Sequence, residues 1–374
     1  MNLVLISKGL STMDLSQMTT SSQKFEYSFA RNFSNYSSFN VLIISLGLEY
    51  GEVLYNESKQ LKLVGISGNS MKETISNLKQ YLRGVKSKKT IVLNYGYDLM
   101  DNLVLTILQR DLNFKRVAFI FDSHYGATEN YSRFKYILSE FYFKTSILLS
   151  KRIDAFLLFN QQAVEELKIT KPYYVTRPGL EPNNLVDKRY SRTNEKFTIL
   201  YTGTLINYNG IIELLRGFSK IENNNFQLRI FGAGPLENSV MKYSQKDKRI
   251  FYGGLVESGK LKEEYDNADL LINFRKTDHI VAKFSFPSKL IEYISMKKPV
   301  LSTNLNFNSE VKKGLFIIDE LDSQLIKNKI KAIEAGSDEM KNKKIKIAYQ
   351  HLIEDFNWQK VISEIESFFY DTFV

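Results

Sequence analysis

The stretch from Asp269 to Asn304 restricts the fold of this chain more than any other. An apolar run, Leu270 to Phe274, gives way to a polar, basic loop. A short helix from about Ser288 to Met296 follows and stops at Lys297-Lys298-Pro299, and a second apolar run, Val300 to Ser302, comes next. Short apolar runs bounded by loop signals read as buried strands, and strand, loop, helix, strand is a crossover between parallel strands. The loop then lies at the carboxyl end of a parallel strand, where open α/β sheets bind their ligands.

That loop carries Arg275, Lys276 and Lys283, and Lys289 opens the helix behind it. The first-turn amides near Ser288 have no partner inside the helix. Cations and unpaired N–H groups together form an anion site, and a diphosphate is its natural guest. Glu292 stands four residues after Ser288, on the same helical face. A carboxylate there repels phosphate but accepts hydrogen bonds from sugar hydroxyls. The combination suggests a nucleotide sugar, phosphates on the basic loop and ribose on Glu292. Taken alone, a purely structural crossover with solvated lysines would show the same pattern.

Three other apolar runs in the carboxyl half end in glycine: Phe197 to Tyr201 before Thr202-Gly203-Thr204, Gln227 to Phe231 before Gly232-Ala233-Gly234, and Ile250 to Tyr252 before Gly253-Gly254. A ligand lying along one sheet edge needs close backbone approach at each strand tip, which glycine permits.

Composition narrows the remaining choices. With 374 residues, the chain exceeds one ordinary core and fits two domains. Hydrophobic residues make up 43% and charged residues 25%, the balance of a globular protein. There is no cysteine, so no disulfide or thiolate metal site, and three histidines (His124, His279, His351) leave little from which to build a zinc site. The opening residues carry only a short apolar run without a cleavage site, and no stretch approaches the roughly twenty apolar residues that span a bilayer. The expectation is a soluble, cytoplasmic protein. A net charge of +10 favours polyanions: nucleic acid, anionic lipid or phosphorylated substrates. No zinc knuckle, aromatic RNP pattern or helix-turn-helix is visible, so nucleic acid is not the expected partner.

The segments YTGTL, FGAGP, FYGGL and FPSKLIEYISMKKPVLST, in that order, resemble the donor-binding segments of GT-B glycosyltransferases. The likeness is to the large retaining family of bacterial surface-polysaccharide enzymes, the glycosyl transferases of group 1. It implies an α/β, GT-B fold: two Rossmann-like domains with an interdomain cleft, a nucleotide-sugar donor in the carboxyl domain and a saccharide, lipid-linked saccharide or protein-linked acceptor in the amino domain. By the same likeness Glu292 holds the donor ribose, and Ser288, Lys289 and Leu290 contact the diphosphate. Gly203 and Thr204 lie near the phosphates, Gly234 lies in the same row of tips, and Gly254 and Leu255 lie near the base, most simply uridine. Three positions depart from the pattern. Phe284 replaces a glutamate that touches the transferred sugar, and Thr204 and Asn209 replace an arginine and a lysine that hold the diphosphate. Arg275 and Lys289, with Lys283, are left to supply positive charge. The sequence has no Asp-x-Asp triplet to bridge a divalent metal, so helix amides and these cations would neutralise the leaving group. No metal and no cofactor beyond the nucleotide-sugar co-substrate is expected. If configuration is retained, the departing phosphate takes the acceptor proton.

In the amino half, Asn2 to Ser7 reads as a strand followed by the turn Lys8-Gly9-Leu10, and the resemblance sets Gly9 at the cleft. A helix from Ser21 to Phe33 would face inward with Phe25, Phe29 and Phe33 and outward with Lys24, Glu26 and Arg31. Further strands read at Val41 to Leu46, Leu61 to Ile66, Thr90 to Asn94 and Arg116 to Phe121. The last runs into Asp122-Ser123-His124. An acid beside a histidine at a strand end offers both an acceptor and a titratable group. In the resembled family the residue there faces the acceptor, which makes Asp122 and His124 the catalytic candidates; an aspartate after a strand is also an ordinary turn former. Glu129 to Ser150 mixes aromatic and basic residues. It reads either as a helix lying on an anionic membrane at the inner face or as one packed into the core. The lysines from 341 to 346 read as a solvated helix face.

The domains read as 1–182, 195–355 and a terminal helix over 356–374 that crosses back to the amino domain. Two other functions fit the same residues: a nucleotide-sugar epimerase, and a non-catalytic partner of another glycosyltransferase.

Overall fold

The computed structural model describes residues 1–374 apart from 19, 56–60, 86–88, 97–98, 121–132, 151, 181–188, 193 and 285. It divides into two compact units. One holds Met1–Gly179, Lys283–Phe286 and Phe356–Val374; the other holds Leu180–Ala282 and Pro287–Asp355.

Among the described residues the amino-terminal unit is built on an eight-stranded sheet in the order β3-β4-β2-β1-β5-β6-β7-β8. Its strands are β1 (Asn2–Ser7), β2 (Asn40–Glu49), β3 (Val53–Tyr55), β4 (Lys62–Ser67), β5 (Thr90–Tyr95), β6 (Lys115–Ile120), β7 (Ala155–Leu158) and β8 (Tyr173–Val175). All ladders are parallel except β3 on β4. That edge strand escaped the sequence reading because three residues show no period. β1 is central, with Leu5 opposite both Ile43 and Leu93.

The helices of this unit are α1 (Ser21–Tyr36), α2 (Met71–Gly84), α3 (Leu99–Leu112), α4 (Arg133–Ser150) and α5 (Gln161–Glu166). α1 starts where Thr20 and Gln23 bond to each other's backbone N–H, and its phenylalanines pack on the sheet with Trp358. Glu26, expected to face outward, is only 7% exposed. It follows the inward Phe25 by one residue, which turns it toward the tip of β1, where Ser7 Oγ donates to it at 2.6 Å and Ser22 Oγ at 2.8 Å.

The carboxyl-terminal unit holds a six-stranded parallel sheet among the described residues, in the order β11-β10-β9-β12-β13-β14. The strands are β9 (Phe197–Thr202), β10 (Phe226–Phe231), β11 (Ile250–Tyr252), β12 (Leu270–Asn273), β13 (Val300–Thr303) and β14 (Phe316–Ile318). Between and after them come α6 (Ile211–Ser219), α7 (Glu237–Lys246), α8 (Ser258–Asn267), α9 (Ser288–Ser295), α10 (Ser309–Lys313), α11 (Ser323–Ala335) and α12 (Asp338–Asp355). Every residue of β9 and β12 is buried, as a strand covered on both faces requires. Not all of the 341–346 lysines are solvated: Lys341 is 2% exposed, its ammonium 5.8 Å from the Tyr190 ring and donating to the Glu334 carbonyl at 3.4 Å.

The last helix, α13 (Trp358–Phe373), belongs to the amino-terminal unit. Trp358 fills the space beside Gly179, where a Cβ would come within 2.0 Å of the indole. Arg177 ion-pairs with Glu364 at 2.7 Å. Lys283–Phe286 is grouped with the same unit: Phe286 packs on Phe159 and Phe356, Phe284 is buried, and Lys283 ion-pairs with Glu166.

Candidate active site

In the carboxyl-terminal sheet the chain runs from β9 outward through β10 and β11, and from β12 the other way through β13 and β14. The order reverses between β9 and β12, and doubly wound sheets leave a crevice beyond the strand ends at such a point. Leu200 pairs with Leu271, so Thr204 and Arg275, each four residues further on, project beyond the sheet at one level. Tyr201 donates to the Thr204 carbonyl at 3.0 Å and Asn209 Nδ2 does so at 2.8 Å. Asn209, where the family resemblance led to the expectation of a lysine, therefore fixes the turn after β9.

α9 enters beside this crevice. Pro287 is its N-cap and supplies no side-chain bond to the helix, so the amides of Ser288 and Lys289 are uncapped and the positive end of the helix is open. Leu290 differs: its amide donates to the Pro287 carbonyl at 2.9 Å and its side chain is buried. Of the three residues expected on the diphosphate, Ser288 and Lys289 keep their amides available and Leu290 does not.

One turn into α9, Glu292 is held by a connected set of polar groups. Lys289 Nζ donates to Oε2 at 2.8 Å and Tyr265 OH to Oε1 at 2.6 Å. Thr202 Oγ1, at the tip of β9, lies 2.8 Å from the Tyr265 oxygen and 3.0 Å from that of Tyr293. Tyr293 in turn donates to the Thr202 carbonyl at 2.9 Å. Burial raises both phenols, and the charge of Glu292 raises them further, so they stay protonated and act as fixed donors. Glu292 is thus oriented by two donors while its side chain keeps 35% of its exposure. Each oxygen has a second lone pair to offer a hydroxyl. Tyr265, Thr202 and Tyr293 were missed from sequence. Their signals were thin: a hydroxyl at the β9 tip, a tyrosine beside Glu292 and another near the end of α8.

The glycine tips divide into two kinds. At Gly232 a Cβ would lie 1.9 Å from the Gly203 carbonyl oxygen, and at Gly234 one would lie 2.6 Å from that of Leu205. These two glycines are required by neighbouring backbone, so ligand approach is not needed to account for them. Around Gly254 nothing lies within 4 Å, and its φ of +66° is left-handed. Leu255 beside it is 80% exposed. The open end of the row is therefore Gly254-Leu255.

The other candidates fall elsewhere. Arg275 is bonded through its amide to Thr303 Oγ1 at 3.0 Å and lines, with Lys276, Asp319 and Asp322, a cavity of about 470 Å³. Lys276 pairs with Glu213 at 3.1 Å. Lys283, expected among the donor-binding cations, has its ammonium committed to Glu166 of the amino-terminal unit. Phe284, where the resemblance led to the expectation of a glutamate, is a core residue. Gly9 lies in the turn after β1, its carbonyl accepting from Gln23 Nε2 at 2.6 Å, and a Cβ there would make only an ordinary contact at 3.6 Å. Asp122 and His124 lie outside the described residues. Among the described residues no three His, Asp or Glu side chains are grouped to hold a metal.

Two Rossmann-like units, the second with an uncapped helix start and a braced carboxylate at its switch point, define the GT-B class. Solved structures agree. Anabaena HepE in complex with UDP and glucose superposes with a TM-score of 0.67 at 11% identity, over 99% of this chain and 100% of that one. The lipopolysaccharide outer core galactosyltransferase WaaB, in apo form, gives 0.66 at 14% over 99% of each. The α,α-trehalose-phosphate synthase (UDP-forming) from Burkholderia xenovorans, in complex with glucose-6-phosphate, gives 0.68 at 11% over 99% of each. No curated protein matches the sequence. Residues 184–351 match the family glycosyl transferases group 1. The chain has the GT-B fold, and within it residues 184–351 of the carboxyl-terminal unit carry the match to the group 1 glycosyl transferases.

Proposed function

We propose that the chain transfers a sugar from a UDP-sugar to a saccharide carried on a lipid or a protein, with retention and without a divalent metal, in the building of a surface polysaccharide. The observation that carries the donor half is the pairing of an uncapped α9 start with the braced Glu292 at the β9–β12 switch point. Ser288 and Lys289 offer amides and a cation to the diphosphate, and Glu292 accepts from the ribose hydroxyls. The turn at Gly203-Thr204 borders the phosphates, and the space at Gly254 and Leu255 takes the base. Uridine is favoured because solved relatives of the same fold hold UDP.

In the transfer, the bond from the anomeric carbon to the diphosphate oxygen breaks as the acceptor hydroxyl oxygen bonds to the same face of the sugar. The acceptor proton passes to the departing phosphate oxygen, so UDP leaves protonated and atoms balance without a protein nucleophile. Charge developing on the phosphate is met by preorganised donors. Asp122 and His124 remain the candidates to orient the acceptor hydroxyl.

The test is nucleotide release from a panel of nucleotide sugars, with and without acceptor glycans and with EDTA. The expected result is UDP release from one donor, accelerated by one acceptor, indifferent to EDTA, and giving a product whose anomeric configuration matches the donor. Appearance of a free epimer, or loss of turnover on chelation, would overturn the corresponding part.

A further inference from the structure

We infer that the outer face of α4, with the adjoining face of α3, is a docking surface for an anionic lipid bilayer. α4 is fixed by its inner side: Ser146, fully buried, accepts from Asn102 Nδ2 of α3 at 2.7 Å, and the buried Arg116 guanidinium donates to Asn102 O at 3.2 Å. What it turns outward is apolar. Phe134 (77% exposed), Ile137, Leu138, Phe141 (69% exposed) and Leu148 follow helical spacing along one face. Leu103 and Ile107 of the adjacent α3 add to it. A contiguous exposed apolar face of this kind marks an interaction surface.

Charge selects the occupant. Arg133, Lys135 and Lys144 are exposed along the flanks of that face, and the helix sequence contains one acid, Glu140. Cations on both sides of an aromatic stripe suit a helix lying in the plane of an interface, rings among the acyl chains and ammonium groups at anionic headgroups. A second copy would bring the same cations against each other on a chain already at +10. α4 itself is among helices that are not long and apolar enough to cross a bilayer, so contact in the plane is the mode that fits. The inference extends the proposed function by stating where a lipid-carried acceptor is met; the surface can be tested separately from the donor site.

The experiment is sedimentation of the full chain with vesicles of phosphatidylcholine, with or without phosphatidylglycerol, at low and high salt, beside calorimetric UDP binding on the same preparation. The wild type should pellet with the anionic vesicles and be released by salt. The double variant Phe134→Ser/Phe141→Ser should lose vesicle affinity by about tenfold or more, and Lys135→Glu/Lys144→Glu should lose it too, both with UDP binding unchanged. A wild type that stays in the supernatant overturns the inference, as does equal pelleting by the phenylalanine variant. So does a dimer in light scattering that the phenylalanine variant disperses while vesicles are ignored, which makes the occupant a second copy. UDP binding without vesicle binding sinks this surface alone; vesicle binding without UDP binding sinks the donor reading alone.

Discussion

Each unit places a carboxylate near the carboxyl tip of its first strand, and the two are treated in opposite ways. In the amino-terminal unit Glu26 is closed over by Ser7 and Ser22, and burial pushes its carboxyl up. In the carboxyl-terminal unit Glu292 meets a tyrosine and a lysine and stays one-third open. A sealed carboxylate can only serve the fold. One aimed by two donors yet open to solvent can bind a hydroxyl without the cost of ordering it first. The glycines at the strand tips differ in the opposite sense: Gly232 and Gly234 lie against backbone, whereas the turn at Gly9 is loosely filled.

The largest effect should come at those tips. Gly232→Ala puts a Cβ 1.9 Å from the Gly203 carbonyl at a φ of +139°. It should cost about 3 kcal/mol or more in chemical unfolding, through overpacking and backbone strain together. Gly9→Ala, with no contact closer than 3.6 Å, should stay within about 0.5 kcal/mol. Equal losses would erase the distinction between the two tips.

Glu292→Ala comes next. It should weaken UDP binding by about 1.5–3 kcal/mol, the scale of a hydrogen bond to a charged group, while the fold survives because the side chain is partly open. Unchanged affinity by calorimetry in a folded variant would mean that Glu292, like Glu26, serves only structure.

How much of this was legible depends on what each residue signals locally. Buried strands announce themselves as apolar runs, so β1, β5, β9 and β12 were readable, as was α9, ended by Lys-Lys-Pro. The pattern from Tyr201 to Thr303 carried the family resemblance. Partner choice was not legible. Lys283 looks like any other loop cation until the chain takes it to Glu166. Glu26 sits on the polar side of a helical wheel but under the tip of β1. Lys341, in a lysine-rich helix, lies against Tyr190. Tertiary placement decides these, and spacing along the chain does not encode it. The same holds for Tyr265, which reaches Glu292 from a different helix.

Tyr265→Phe sharpens the contrast at smaller scale. It removes one of the two donors that aim Glu292 and leaves the Lys289 contact in place. UDP affinity should fall by about 0.5–1.5 kcal/mol. If Tyr265 acts through Glu292, combining it with Glu292→Ala should add little further loss, since residues in one network are not additive. Full additivity in that cycle would separate the phenol from the carboxylate.

The smallest effect concerns Glu26, and its sign follows from burial. Because its folded-state pKa is raised, the folded protein keeps a proton that the unfolded chain releases. Its contribution to stability is therefore complete below the ordinary glutamate value of about 4.3 and is lost as pH rises through the raised one. Glu26→Gln keeps the shape and removes the titration. Urea unfolding from acid to neutral pH should show the wild type losing stability relative to the variant across that window and no further change above it. The glutamine should be at least as stable at neutral pH if its amide can satisfy Ser7 and Ser22 as the carboxylate does. A wild type that instead gains stability over the variant as pH rises would show that the ionised carboxylate is wanted there, and the contrast between a sealed and an open carboxylate would then rest on Glu292 alone.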